Sequence, residues 1–122
     1  MSTMNPVIVK NKDNNISIVT GSPGGSFIPA AALRVITGII DFNLDVGQAT
    51  MLPRIHKDWP YAGLEYESTL SSDIVSVLER LGHQPEASKT LGSTQSISII
   101  DGINYGYADL RRPNAGVAIQ VD

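Results

Sequence analysis

The chain has 122 residues, enough for one domain with one core, and 42% of them are hydrophobic against 17% charged. That balance excludes the disordered class, and the shortage of charge predicts that something else covers part of the surface. A net charge of −3, with Arg111-Arg112 as the one adjacent basic pair, argues against a nucleic-acid partner, and the lack of cysteine excludes disulfides and thiolate metal sites.

Two short apolar runs open the chain. Val7-Ile8-Val9 and Ile16-Ser17-Ile18-Val19 flank the polar stretch Lys10 to Asn15, whose Asn and Asp residues suit a turn, so a β-hairpin is expected. Val7 to Val9 offers apolar groups to both faces, which predicts a sheet covered on both sides. The second strand runs into Gly21-Ser22-Pro23-Gly24-Gly25-Ser26, and a helix over Ile28 to Phe42 follows, with Pro29 in its first turn. Its polar positions Arg34, Thr37 and Asp41 fall on one stripe. A helix apolar around the rest of its circumference is expected to be buried on more than one side. Arg34 and Thr37 also interrupt the longest apolar stretch, so no segment of this chain is expected to span a bilayer, and Met1 to Asn5 does not read as a signal peptide.

Asp45-Val46-Gly47-Gln48 has the form of a capping box and opens a short helix that Pro53 ends. Arg54 to Tyr61 reads as irregular and Leu64 to Glu67 as a strand. A helix capped by Ser71 and ended by Gly82 follows, with Ile74, Val77, Leu78 and Leu81 expected as its buried stripe. The runs Ser96 to Ile100 and Ile103 to Tyr107, joined by Asp101-Gly102, predict a second hairpin. Arg111 to Ala115 reads as a loop and Val117 to Val121 as an edge strand. The whole is an α+β pattern of antiparallel strands with packed helices.

Chemistry points first to residues 21–29. Backbone N–H groups in a glycine turn can converge on one point, and the positive end of the following helix favours negative charge there. Such a nest can bind a phosphate, a carboxylate or the oxyanion of an acyl-transfer intermediate. Taken alone, the segment is more simply a tight turn that only requires positive φ. The G-x-G-x-x-G and Walker patterns are absent. His56 and His83 lie in no triad context, and with no cysteine neither marks a metal site. Glu65 and Glu67 read as solvated carboxylates on one strand face. Gly92-Ser93-Thr94-Gln95-Ser96 is a polar turn that either holds its own backbone or holds a ligand.

Taken together, these motifs resemble the γ-glutamyltransferases (γ-glutamyltranspeptidases). Ser2-Thr3-Met4-Asn5-Pro6 is similar to their serine-pair motif S-S-M-S-P, and Gly21 to Ser26 matches their G-S-P-G-G-S loop. Ala49 to His56 resembles their A-x-x-x-P-R-x-H segment, Gly92 to Ser96 their G-S-T-Q-S, and Asp109 to Arg112 their D-P-R. The resemblance covers essentially the whole chain, in order. It implies part of an N-terminal-nucleophile hydrolase α-β-β-α sandwich, and a reaction in which a Thr nucleophile forms an acyl-enzyme with the γ-glutamyl group. It further implies that the N–H groups of Gly24 and Gly25 form the oxyanion hole. The hydroxyls of Ser2 and Thr3 would help hold the substrate through its α-carboxylate. No cofactor or metal is implied.

Two positions depart from the family pattern: Thr3 replaces the second serine, and Phe27 stands where the family usually has Arg. The T-T-H motif that carries the nucleophile is expected upstream of the serine pair, where this chain begins. The expectation is therefore the C-terminal portion of a small subunit, inactive alone. Its partners would be the large subunit and the N-terminal part of the small subunit, and its substrate a γ-glutamyl small molecule. Exposed apolar surface would drive self-association of the isolated chain. The resemblance also implies a periplasmic, secreted or membrane-anchored parent, although no segment of this chain reads as such a signal. The alternatives are a relative with acylase specificity, a stand-alone non-catalytic module of the same fold, and a chain whose Ser2 becomes an N-terminal nucleophile.

Overall fold

The computed structural model describes residues 5–60 and 63–119. In chain order the elements are β1 (Val7–Lys10), β2 (Ile16–Gly21), a 3-10 turn (Gly25–Phe27), α1 (Ile28–Ile40), α2 (Val46–Met51), β3 (Ile55–His56), β4 (Gly63–Glu67), α3 (Ser72–Arg80), β5 (Gln84–Ser88), β6 (Gln95–Ile100) and β7 (Ile103–Ala108). They group into two compact units, Met1–Leu52 with Gly92–Asp122, and Pro53–Leu91.

The first unit is a four-stranded antiparallel sheet in the order β1-β2-β6-β7, with α1 and α2 packed on one face. Both expected hairpins form. In the first, Asn11 Oδ1 accepts from the N–H groups of Asp13 and Asn15 at 3.0 Å each, and Asn14 takes φ 64°. In the second, Asp101 and Gly102 both have positive φ (51° and 78°), the turn whose twist matches that of paired strands. The helix-facing side buries Ile18, Thr20, Ser96 and Ser98, and Thr20 Oγ1 lies 2.7 Å from Ser96 Oγ. On α1, Ile28, Ala31, Ala32, Val35 and Gly38 are buried. Small residues let α2 come close: a Cβ on Gly38 would sit 2.9 Å from that of Ala49. The capping box at Asp45 and Gln48 forms as expected, with bonds of 2.7 and 3.1 Å.

Much apolar surface of this unit stays open. Leu33 and Ile40 on α1 are 60% and 57% exposed, and Phe42 just beyond it is also exposed. On the sheet face away from the helices, Ile8 and Ile97 are exposed, and Val117 packs over Gly106. Residues 117–119 form no strand, which corrects that part of the expected edge strand at Val117 to Val121; residues 120 and 121 lie outside the described residues. Val117 instead covers the face of the sheet, where Gly106 leaves room for it.

In the second unit, β3 pairs antiparallel with β4, and β4 pairs parallel with β5 through the α3 crossover. β3 lies within the segment expected to be irregular, and β5 had no counterpart among the expected strands. Gln84-Pro85-Glu86-Ala87-Ser88 lacks the alternation that marks strands, and only its parallel partner reveals it. α3 ends as expected at Gly82 (φ 86°), with Gly82 N–H donating to Glu79 O and His83 N–H to Leu78 O, a Schellman arrangement. Ser71 occupies the N-cap position, but its side chain makes no capping hydrogen bond there. The expected buried stripe of α3 is also corrected. Ile74, Val77 and Leu81 are exposed, Leu81 to 70%, while Val75 and Leu78 are half-buried. A nine-residue helix on a narrow sheet buries one edge of its apolar stripe, and periodicity does not say which edge.

Candidate functional site

The glycine loop lies at the junction of β2 and α1. Gly24 has φ 140° and ψ 19°, and Gly25 has φ 62°; the first of these backbone states excludes an ordinary L side chain. The 3-10 turn then runs directly into α1, and Phe27 N–H donates to Gly24 O at 3.3 Å. Pro29 occupies the first turn of α1 and no acidic residue lies there, so the positive end of the helix is not neutralised by its own side chains. A Cβ on Gly25 would meet nothing within 4 Å, so the space beside it is open. Glycine at both positions lets the backbone take angles that can aim N–H groups at an anion beside the helix start, an arrangement that would suit an oxygen becoming negative during acyl transfer.

The turn before β6 buttresses this loop. Gly92 (φ 79°) lies so close that a Cβ on Gly24 would come within 3.1 Å of its Cα. Ser93 N–H donates to Ser22 Oγ at 2.9 Å, and Ser22 Oγ donates to Pro23 O at 2.7 Å. The next residue is tied to the far end of the β6–β7 hairpin. Thr94 N–H donates to Asp109 Oδ2 at 2.9 Å, and Asp109 N–H returns a bond to Thr94 O. Asp109 is fully buried, and its Oδ1 accepts from Arg111 N–H at 3.0 Å and Arg111 Nη1 at 3.2 Å. The Arg111 guanidinium also donates to the carbonyls of Thr50 and Leu52, both at 2.9 Å, closing the C-terminal end of α2. Three of the motifs noticed in sequence, G-S-P-G-G-S, G-S-T-Q-S and Asp109 to Arg112, thus form one connected structure. The backbone of the G-S-T-Q-S turn is held by side chains outside it, Ser93 N–H by Ser22 and Thr94 N–H by Asp109.

The second unit has its own buried polar centre. Glu67 is 3% exposed, and its two carboxylate oxygens accept from the N–H groups of Arg54 and Leu91, both at 3.0 Å. Arg54 is buried and Nη1 donates to Leu91 O at 3.1 Å. Glu67 is therefore not a solvated carboxylate; two chain segments whose N–H groups need an acceptor enclose it. His56 Nε2 lies 2.8 Å from Asp58 Oδ1, and the histidine ring is mostly buried. Among the described residues no group of His, Asp and Glu could hold a metal. Both histidines belong to this second unit, so the unit with the glycine loop has no imidazole of its own.

Of the expected site residues, Gly24 and Gly25 stand side by side with positive φ at the start of α1, while Ser2 and Thr3 lie outside the described residues. Ser22, Gly92, Asp109 and Arg111 acquire their parts only from the fold. Their signal in the sequence was membership of the same three motifs.

A family model described as Gamma-glutamyltranspeptidase matches residues 1–119. The chain belongs to the γ-glutamyltranspeptidase family. It is 41% identical over 112 residues to the glutathione hydrolase proenzyme of Escherichia coli K12, a match covering 91% of this chain and 19% of that protein. Its fold superimposes on a γ-glutamyltranspeptidase mutant of Helicobacter pylori with a TM-score of 0.86 at 33% identity, covering 92% of this chain and 62% of the other. A cephalosporin acylase of Bacillus halodurans is similar as well, with a TM-score of 0.84 at 25% identity over 92% of this chain and 22% of that one. The α+β fold is thus that of the γ-glutamyltranspeptidases and their N-terminal-nucleophile hydrolase relatives, as the resemblance implied. The chain spans about a fifth of the length of the curated proenzymes it matches.

Proposed function

We propose that this chain supplies the oxyanion hole and part of the donor pocket of a γ-glutamyltransferase-like enzyme, whose nucleophile lies outside the chain. The observation that carries this reading is the glycine pair with φ 140° and 62° opening α1. A threonine hydroxyl from the N-terminal part of the small subunit attacks the γ-glutamyl carbonyl carbon. The carbonyl oxygen becomes an oxyanion and takes hydrogen bonds from the N–H groups of Gly24 and Gly25. Collapse of the intermediate expels the protonated amine and leaves an acyl-Thr ester. Water or the amino group of an acceptor then attacks that ester through the same hole and frees the threonine. Ser2 and Thr3 hold the α-carboxylate of the γ-glutamyl group by their hydroxyls, and the methyl of Thr3 narrows its rotamer choice. The large subunit completes the donor pocket.

The test is a γ-glutamyl-p-nitroanilide assay on the chain alone and on the chain mixed with a nucleophile-bearing N-terminal portion from a relative. Nitroaniline release is expected only from the mixture. Gly24→Pro is expected to abolish it, by removing one donor and imposing a φ near −65° where 140° is required. Turnover by the chain alone would sink the reading. A second reading, an acylase acting on other amides, is favoured by the likeness to the cephalosporin acylase. It predicts release of a cephalosporin side chain by the mixture, with the γ-glutamyl anilide left intact.

A further inference from the structure

An oxyanion hole works only if its donors point at the right place before the charge appears, so whatever fixes those two peptide planes is part of the device. A trans peptide is planar, with its C=O and N–H antiparallel. The direction of Pro23 C=O therefore sets the direction of Gly24 N–H, and the direction of Gly24 C=O sets that of Gly25 N–H. Both carbonyls are held. Gly24 O accepts from Phe27 N–H within the 3-10 turn, a bond that the backbone supplies by itself. Pro23 O is held by a side chain, the Ser22 hydroxyl at 2.7 Å. That hydroxyl is in turn oriented by Ser93 N–H at 2.9 Å, which occupies an acceptor lone pair and leaves the proton to point at Pro23 O. Gly92 makes the approach possible, since a Cβ there would meet Ser22 Oγ at 2.8 Å and Ala31 Cβ at 3.1 Å.

We propose that Ser22 is a positioning residue for the oxyanion hole: its hydroxyl, anchored on Ser93 N–H, locks the Pro23–Gly24 peptide plane so that Gly24 N–H faces the reacting oxygen. Glycine at 24 needs such a lock. With no Cβ at that position, the Pro23–Gly24 peptide can rotate about its flanking bonds and turn its carbonyl oxygen toward the hole, where a negative dipole would oppose catalysis. The inference rests on the oxyanion-hole reading above and names what maintains that hole.

The experiment uses the chain grafted in place of the matching segment of the Escherichia coli proenzyme, assayed with γ-glutamyl-p-nitroanilide and normalised to active sites by burst titration. Ser22→Ala is expected to lower kcat per titrated site about tenfold, within the range that misplacing a catalytic group costs, and to leave KM within about twofold. Ser22→Thr, which keeps the hydroxyl, is expected to restore most of kcat. A merely structural role would reduce the number of titrated sites and leave kcat per site intact, and that result would overturn the proposal. So would a Thr variant as slow per site as the Ala variant. Gly24→Pro separates the two levels of the reading. If Gly24→Pro abolishes turnover while Ser22→Ala keeps the parental kcat, the lock fails and the oxyanion hole stands. If Gly24→Pro retains activity, or the unsubstituted graft is silent, both fall.

Discussion

Glu67 shows how a residue's neighbours decide its role. On sequence it is one of two carboxylates two positions apart; in the fold one is buried and bonded at both oxygens by backbone N–H groups. An amide in its place can accept at one oxygen only and turns an NH2 toward the other donor. Glu67→Gln is therefore expected to destabilise the protein by about 1–3 kcal/mol, the cost of a buried donor left without its acceptor. Glu65→Gln on the half-buried neighbouring position is expected to change little. Urea unfolding followed by circular dichroism reads both, and equal midpoints for the two variants would contradict the assignment. Glycines 24 and 25 are the opposite case, because the doublet itself announces unusual backbone angles.

Among the elements, α2 depends on polar groups at both ends. Asp45 and Gln48 close its start, and the Arg111 fork closes its end while pairing with Asp109. Arg111→Ala is expected to cost about 3–5 kcal/mol, as for breaking a buried ion pair by removing one partner. Arg111→Lys is expected to recover little, because one ammonium cannot reproduce a planar fork that serves two carbonyls and a carboxylate. A urea midpoint for Arg111→Lys close to that of the unsubstituted chain would refute the fork. At α3, the Ser71 hydroxyl beside Asp73, with backbone N–H groups adding to it, holds that carboxyl below the usual carboxylate range. A depressed folded-state pKa contributes stability that is present above the unfolded value and lost as pH falls through the folded one. Ser71→Ala is expected to move the Asp73 titration upward toward its ordinary value, and an NMR titration of the side-chain carboxyl shows whether it does. The two hairpins and the caps at Asp45 and Gly82 were legible beforehand because turn and cap chemistry is local. β5 was not, since a parallel strand is defined by its partner and Gln84 to Ser88 carries no alternation of its own.

At the scale of the molecule, the dominant feature is apolar surface without cover. Leu33, Ile40 and Phe42 at α1 and Ile8 and Ile97 on the open sheet face are exposed, more than a charge-poor chain of this size can keep in water without associating. The isolated chain is expected to self-associate, with sedimentation velocity showing species larger than a monomer. Leu33→Glu combined with Ile97→Lys is expected to shift the distribution toward monomer. A unimodal monomer at tens of micromolar for the unsubstituted chain would instead favour a stand-alone module.

The sequence by itself determined the family, the α+β class, the hairpins and the position of the glycine loop. Each of these is written either in a motif of fixed spacing or in the chemistry of a few consecutive residues. Only the tertiary structure decided that Ser22 reaches Ser93, that Asp109 and Arg111 brace the turn behind the nest, and that Glu67 is enclosed. These contacts join residues 13 to 71 positions apart, whose meeting depends on sheet register and chain crossing rather than on any local preference.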